Sequence, residues 1–76
     1  MRDVIEMIVR NLVDDAKSVD VREVEGKGAT VIEVRVAEED MGKLIGRQGR
    51  TVRALRSLVH AAGMKQHRRF VLEIVE

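Results

Sequence analysis

The sequence predicts an α/β two-layer sandwich, in which a three-stranded mixed sheet carries helices on one face. Two observations lead to this prediction. Apolar residues recur at helical spacing in three segments and alternate with polar residues in three others, in the order α-β-β-α-α-β. The length of 76 residues accommodates one domain, 1–76, and two helices between the second and third strands imply a parallel connection within one sheet.

The first predicted helix covers residues 2–16. Its apolar residues recur at helical spacing, and its charged residues fall on the opposite side. We expect the apolar face to pack on the core. The breadth of that face also suits a contact between two copies of the chain, so both interpretations stay open. The apolar residues are Val4, Ile5, Ile8, Val9, Leu12, Val13 and Ala16.

Two strands, over residues 18–25 and 29–37, are predicted to pair as an antiparallel hairpin around the glycine-rich turn at 26–28. In the first strand the alternation loses phase at Val24, which predicts a bulge at 22–23. The second strand alternates throughout its length. Its core-facing residues are Thr30, Ile32, Val34 and Val36, and its other face carries Val31, Glu33 and Arg35.

A short helix is predicted from Glu38 to Ile45, and Gly46 ends it. The helix opens with three consecutive carboxylates. These suit the positive end of a helix dipole better than they suit a metal or catalytic site. The carboxylates are Glu38, Glu39 and Asp40, and the residues expected to be buried are Met41, Leu44 and Ile45.

The last two predicted elements are a helix over residues 50–62, capped by Gly63, and a strand over 68–75. The strand directs Phe70, Leu72 and Ile74 to the core. One face of the helix is apolar, and the opposite side forms an exposed basic ridge. The apolar face holds Val52, Leu55, Leu58, Val59 and Ala62, and the ridge holds Arg50, Arg53, Arg56 and His60.

Charge is distributed unevenly along the chain. Residues 1–40 hold eleven acidic and six basic side chains, whereas residues 41–72 hold eight basic side chains and no acidic one. The net charge of +1 conceals this division. Positive charge concentrated in one region predicts a polyanion-binding surface. The chain has no cysteine, so neither a disulfide nor a thiolate metal site can stabilise it, and no apolar run is long enough to span a membrane.

The basic region surrounds the nonapeptide Leu44–Val52, in which Gly46 and Gly49 lie three residues apart. Glycine permits backbone angles and close approaches that other residues resist. We therefore predict a tight turn between two helices, with backbone amides that can hold a phosphate where the second helix begins. Arg47 adds a planar, permanently charged fork that suits a phosphate.

This nonapeptide resembles the apolar-Ile-Gly-x-x-Gly-x-x-Ile signature of K-homology (KH) domains, with Val52 where isoleucine is usual. The six-element order resembles the type II KH fold over the whole chain. The run Val36–Arg50 and the valine-rich hairpin resemble the small stand-alone bacterial KH proteins of the KhpA-like family. The resemblance implies a non-catalytic clamp on about four nucleotides of single-stranded RNA. The residues expected to bind RNA are Lys43, Ile45, Gly46, Arg47, Gln48, Gly49, Arg50, Val52, Arg53 and Arg56.

The roles expected of these residues differ. Loop amides with Arg47 and Gln48 hold phosphates, an apolar platform lies under the bases, and other basic side chains supply long-range attraction. The platform is formed by Ile45 and Val52, and the attraction comes from Lys43, Arg50 and Arg53. The resemblance also implies an RNA chaperone or post-transcriptional regulator of the bacterial cytoplasm. It implies a homodimer or a heterodimer with a larger multidomain KH protein (KhpB/Jag-like), and no cofactor, metal, membrane or small-molecule substrate.

Three other interpretations stay open. A KH-fold interaction or dimerisation module with weak or no RNA binding has the same fold, although the glycines and loop arginines favour binding. Single-stranded DNA suits the same groove, because nothing in the sequence reads a 2′-hydroxyl. An enzyme is disfavoured, because His60 and His67 have no carboxylate nearby in sequence to orient them. Leu44 and Arg50 also replace the first glycine and the lysine of a Walker A loop.

Overall fold

The computed structural model describes all 76 residues of the chain. The predicted element order is confirmed, and the strand ends differ from the predicted ones by at most two residues. None of the three helices combines the length and apolar character that a membrane span needs. The elements are α1 (Arg2–Leu12), β1 (Asp20–Gly26), β2 (Ala29–Arg35), α2 (Met41–Ile45), α3 (Arg50–Lys65) and β3 (Phe70–Ile74), with 3₁₀ turns at Ala16–Ser18, Glu38–Asp40 and Arg47–Gly49.

The sheet is mixed, with the order β1-β2-β3. As predicted, β1 and β2 are antiparallel and β2 and β3 are parallel. The predicted bulge is wrong, because the β1–β2 pairing runs without interruption from Asp20 to Gly26. Val24 loses phase for another reason: it lies on the open face of the sheet, opposite Val31, and 43% of it is exposed.

The core lies between the helices and one face of the sheet. Thr30, Ile32 and Val34 point into it from β2, as the alternation predicts, and the apolar side chains of α1, α2 and α3 meet them there. Removing this apolar surface from water is the main stabilising contribution in so short a chain. The buried cluster consists of Ile5, Val9, Val13, Val19, Val21, Ile32, Val34, Val36, Leu44, Val52, Leu55, Val59, Phe70 and Leu72.

Helix α1 ends at Leu12, four residues before the predicted end at residue 16. Val13 is extended and buried, so the chain leaves the helix there to place this side chain in the core. The backbone N–H of Asp15 then donates to Asp40 Oδ2 at 3.0 Å. Two members of the predicted apolar face, Val4 and Leu12, are exposed.

The segment before the glycine loop is helical where predicted, but its first turn, Glu38–Asp40, is 3₁₀. Leu44 is fully buried, whereas Met41 is half-buried and Ile45 is 38% exposed. The prediction that Ile45 belongs to the core is therefore wrong. Its side chain lies in the wall of a surface groove instead.

Helix α3 continues to Lys65, so the predicted end at residue 62 and the predicted Gly63 cap are wrong. Gly63 is buried against β3. A Cβ at this position would lie 2.6 Å from the Arg68 carbonyl oxygen and 2.9 Å from Phe70 Cδ2. The glycine therefore allows α3 to approach β3 closely. The helix is terminated by His67 at φ 57 and by the Arg68 N–H, which donates to the Gly63 carbonyl at 2.8 Å. Leu58, from the predicted buried face, is exposed.

Replacing Gly63 with alanine tests this close approach. Alanine favours a helix over glycine by about 1 kcal/mol, but the added methyl must displace Arg68 or Phe70, and such overpacking costs about 1–3 kcal/mol. We expect Gly63→Ala to lower the free energy of unfolding in a urea titration. The matched control is Gly42→Ala, since a Cβ at Gly42 meets no atom within 4 Å. Equal stabilisation by both changes would contradict the close packing of α3 on β3.

Candidate nucleic-acid interface

The loop between α2 and α3 reverses the chain through left-handed backbone angles. Gly46 lies at φ 79, ψ 170, and Gln48 and Gly49 follow at φ 57 and φ 73. Two hydrogen bonds close the turn: Gly46 N–H donates to the Gly42 carbonyl at 2.8 Å, and Gly49 N–H donates to the Gly46 carbonyl at 3.1 Å. The predicted tight turn between two helices is present, although Gln48 as well as the glycines adopts a positive φ.

The two glycines meet different requirements. A Cβ at Gly46 would lie 2.7 Å from Thr51 Cβ and 2.8 Å from Thr51 N, so both its φ and its contact with the start of α3 require glycine. At Gly49 a Cβ would meet nothing closer than 4.0 Å. Its left-handed angle alone favours glycine there. Gly46 therefore fixes how closely the loop lies against α3.

The start of α3 is electrostatically suited to an anion. Gly49 is the N-cap and offers no side-chain acceptor, and the first turn contains no acidic residue. The first amides of a helix have no partner within the helix and carry partial positive charge. Arg50 and Arg53 add full positive charges to this end, where cations are normally unfavourable. A bound phosphate would relieve that repulsion.

The basic side chains around the loop fall into two groups. Arg47, Arg50 and Arg56 are exposed and make no hydrogen bond or ion pair within the chain. Arg53 donates from Nη2 to the Gln48 carbonyl at 2.7 Å and from Nε to the Gly49 carbonyl at 3.3 Å. Lys43 is paired with Asp14 and Asp40. Three of the five predicted cations are therefore free to meet a ligand.

The Lys43 pairing belongs to a network that holds α2 in place. Asp40 is only 1% exposed, and it accepts the Asp15 N–H at 3.0 Å. This hydrogen bond lowers the pKa of Asp40, helped by the charge of Lys43, whose Nζ is 3.5 Å away. The hydrogen bond from Lys43 to Asp14 raises the pKa of Lys43. The sequence places Asp40 among three helix-start carboxylates and gives no sign of a contact with Asp15, 25 residues earlier.

A groove of about 910 Å³ begins at the loop and follows β3. Ile45 and Val52 lie at its loop end, where the sequence predicts an apolar platform. One wall is α3 and the other is the edge strand β3. Of the predicted RNA-binding residues, Ile45, Val52 and Arg56 line the groove, whereas the loop residues 46–49 and Lys43, Arg50 and Arg53 lie outside it. The groove also contains Met41, Arg56, His60, Arg69, Phe70, Val71, Leu72, Glu73, Ile74 and Glu76.

The free edge of β3 adds polar backbone groups that the sequence analysis missed. Thr30 N–H donates to the Arg69 carbonyl at 2.8 Å, and Val75 N–H donates to the Val34 carbonyl at 2.9 Å. In a parallel ladder alternate residues of a strand bond to one neighbour. The intervening residues Phe70, Leu72 and Ile74 therefore direct their N–H and C=O groups away from β2, towards the groove. The strand order, once known, is the signal that would have identified them.

For the alternative of an enzyme, the structure brings no group of candidate catalytic side chains together. His60 lies in the groove wall and His67 in the turn after α3, and both are exposed. No group of three or more histidine, cysteine, aspartate or glutamate side chains could hold a metal ion.

Comparisons with known proteins agree with the predicted resemblance. A family model described as "KhpA/KhpB, KH domain" matches residues 2–74. The protein named RNA-binding protein KhpA of Clostridium perfringens is 43% identical over 99% of this chain and 100% of its own length. Proteins of the same name from Aquifex aeolicus (46% identical, 100% of this chain, 96% of its own length) and Borreliella burgdorferi (45%, 97% and 90%) are similar throughout. No solved structure was found to match the chain.

The Asp40 network predicts a pH-dependent stability. Because folding lowers the pKa of Asp40, its contribution is complete above its ordinary pKa of about 4 and is lost as the pH falls through the lower, folded value. We expect Asp40→Asn to lower the Tm at pH 7, and the difference from wild type to shrink below about pH 4. Thermal unfolding by circular dichroism from pH 2 to pH 7 measures this.

The control for Asp40 is Glu39→Gln, since Glu39 is an exposed neighbour with no hydrogen-bond or ion-pair partner. Its Tm should follow wild type at every pH. A Tm gap for Asp40→Asn that stays constant down to pH 2 would show that the carboxylate charge does not hold α2.

Proposed function

The chain belongs to the KhpA/KhpB family of KH domains, a non-enzymatic family, and from this premise we propose that it binds single-stranded RNA through the Gly46–Gly49 loop and the adjoining groove. The observation that carries the proposal is the continuity of the two. The loop leads into a helix start that has no side-chain cap and no acidic residue, and Ile45 and Val52, on either side of the loop, line a groove whose far wall is the edge strand β3. The relatives named as RNA-binding proteins are similar over nearly their whole length.

Phosphates are held at the loop. The backbone amides of Arg47 and Gln48, which are not donors in the hydrogen bonds that close the loop, donate to phosphate oxygens, and the side chains of Arg47 and Gln48 reach around them from the exposed loop. Arg50 and Arg56 extend the positive surface along α3. Because these three arginines have no partner within the chain, their charges act on the ligand without first breaking an ion pair.

The bases lie in the groove. Ile45 and Val52 form its apolar floor near the loop, and the outward N–H and C=O groups of Leu72 on β3 are placed to hydrogen-bond base edges. Aliphatic contacts replace the aromatic stacking of other single-strand binders, because Phe70 is the only aromatic residue and is buried. A groove of this kind accommodates about four nucleotides.

Residues 1–76 constitute a single KH domain of the type II arrangement. The parallel pairing of β2 with β3 and the α1–β1 extension before β2 support this classification. Single-stranded DNA is the competing ligand, because the phosphate and base contacts are the same for both nucleic acids. A DNA strand of matched sequence therefore belongs in the binding experiment.

Pairing of two such domains supplies the affinity that one groove lacks. The chain acts as a homodimer or with a larger KhpB/Jag-like KH protein, as an RNA chaperone or post-transcriptional regulator in the cytoplasm. The family description, which covers both KhpA and KhpB, supports the second partner. Exposed apolar side chains on α1 and α3 support a protein contact: Val4, Met7, Leu12 and Leu58. The same side chains favour the alternative function, an interaction or dimerisation module with weak or no RNA binding.

The decisive change is the double variant Arg47→Asp, Gln48→Asp. Aspartate tolerates the left-handed angle at position 48, so the turn is kept while two carboxylates oppose the phosphates. We expect at least a tenfold loss of affinity for a fluorescent single-stranded RNA pool, since charge-assisted contacts are lost and repulsion is added. Fluorescence anisotropy at several salt concentrations measures it. For the wild type, three phosphate contacts predict a log–log salt slope of about −2.

The control variant is Lys27→Asp, Gln66→Asp, which changes the charge by the same amount at the hairpin turn and at the end of α3. Aspartate followed by glycine suits the two-residue turn. We expect this variant to keep its affinity to within about twofold, because screening limits the reach of distant charges. Equal binding by wild type and both variants would remove the loop as the clamp. Absence of binding by wild type would favour the interaction module.

A further inference from the structure

Arg53 occupies a different environment from the other arginines near the loop. It lies in the first turn of α3, where side chains lean back towards the helix N-terminus. Its guanidinium reaches the carbonyls of two consecutive residues, Gln48 at 2.7 Å and Gly49 at 3.3 Å. Its neighbour Arg50 makes no contact of this kind. The planar fork of arginine provides two donors in fixed relative positions, which lysine cannot supply.

The contacts of Arg53 complete the fixation of two peptide groups. The N–H of the Gln48–Gly49 peptide donates to the Gly46 carbonyl at 3.1 Å, and the carbonyl of the same peptide accepts a hydrogen bond from Arg53. The N–H of the Gly49–Arg50 peptide donates to the Arg47 carbonyl, and the carbonyl of this peptide accepts a hydrogen bond from Arg53. Both peptide planes are therefore held at both ends. Without Arg53 the Gln48–Gly49 peptide would be held by its N–H alone.

This fixation matters because the loop is conformationally unfavourable. Gln48 is not a glycine, yet it has φ 57, a region that non-glycine residues rarely occupy. Such residues persist where the surroundings hold them. A carbonyl that rotated towards the ligand would also place a negative dipole where a phosphate must bind. The two hydrogen bonds from Arg53 oppose this rotation.

We propose that Arg53 is a positioning residue that holds the Gln48 and Gly49 carbonyls away from the phosphate site, and that it does not itself bind phosphate. The proposal deepens the proposed RNA-binding function and depends on it for its effect on affinity. It divides the basic residues of the site by role. Arg47, Arg50 and Arg56 meet the ligand, while Arg53 shapes the loop that receives it.

The test compares Arg53→Lys with Arg10→Lys, a change at an exposed arginine of α1, since both changes keep the charge and remove the fork. RNA affinity is measured for each across several salt concentrations with the same fluorescent RNA pool. Amide hydrogen exchange of Gly49 and Arg50 is measured by NMR in the RNA-free protein. We expect Arg53→Lys to weaken binding about tenfold, comparable to losing one charge-assisted hydrogen bond, with an unchanged salt slope and faster loop exchange. Arg10→Lys should bind within about twofold of wild type, because Arg10 lies on α1, outside the loop and the groove.

Two results would overturn the proposal. In one, Arg53→Lys binds as tightly as wild type, so only its charge matters. In the other, binding weakens while loop exchange is unchanged, so Arg53 touches RNA directly. If circular dichroism shows that Arg53→Lys is unfolded, Arg53→Gln replaces it. The dependence of its RNA affinity on salt concentration then distinguishes a positioning role from a phosphate contact. Loss of a phosphate contact makes the slope shallower by about 0.7, whereas loss of positioning leaves it unchanged.

Failure of the proposed function is distinguishable from failure of the inference. If the wild type binds no RNA, the RNA-binding proposal falls. The exchange measurement still shows whether Arg53 fixes the loop, because it needs no ligand. Unchanged exchange of Gly49 and Arg50 in the variant then rejects the positioning role on its own.

Discussion

The groove depends on one constraint, the parallel pairing of β2 with β3. Antiparallel neighbours can be joined by a two-residue turn, as β1 and β2 are, but a parallel pair needs a connection that carries the chain back to the end of the sheet from which β2 starts. Here residues 36–69 make that return. Helix α3 must therefore run back along the sheet beside β3, and Gly63 lets it approach within contact distance. The loop lies at the start of this return connection, at one end of the groove between α3 and β3.

The uneven distribution of charge has two structural consequences. The basic half of the chain supplies the exposed arginines of the loop and of α3. The acidic half supplies the groups that hold α2, since Asp14 pairs with Lys43 and the Asp15 N–H is bound by buried Asp40. A helix of five residues is not stable by itself. These attachments, with Leu44 in the core, fix the position from which the loop departs.

The sequence predicts those features that depend on local periodicity. The element order, the inward face of β2 and the reversal at Gly46 all follow from spacing within a few residues. The errors arise where contacts with residues distant in the sequence determine the structure around a residue. α1 ends early because Val13 is buried and Asp15 contacts Asp40, and Gly63 is a packing residue because β3 lies against it. Val24 loses phase because one face of the sheet is open, which a strand considered alone cannot reveal.

The candidate site shows the same division. Its position, its glycines and its basic character are predictable from the nonapeptide and from the absence of carboxylates over residues 41–72. The sequence cannot distinguish free from engaged cations, and three basic residues three apart look equivalent until Arg53 is seen on two carbonyls. Nor can it show that β3 is an edge strand with polar backbone groups facing the groove.

The two walls of the groove differ in chemistry, and this difference sets what the groove can select. Free arginines lie at the loop and on α3, whereas the β3 side carries Glu73 and Glu76 with a single arginine, Arg69. For the proposed single-stranded ligand, this favours phosphates near α3 and bases near β3, which would orient the strand in the groove. The base-facing wall offers aliphatic side chains and backbone groups, and these discriminate among bases less sharply than a bidentate side chain would. If the proposed function holds, sequence selection by one groove is modest, and the proposed pairing of two domains would raise selectivity by placing two grooves on one RNA at a defined spacing.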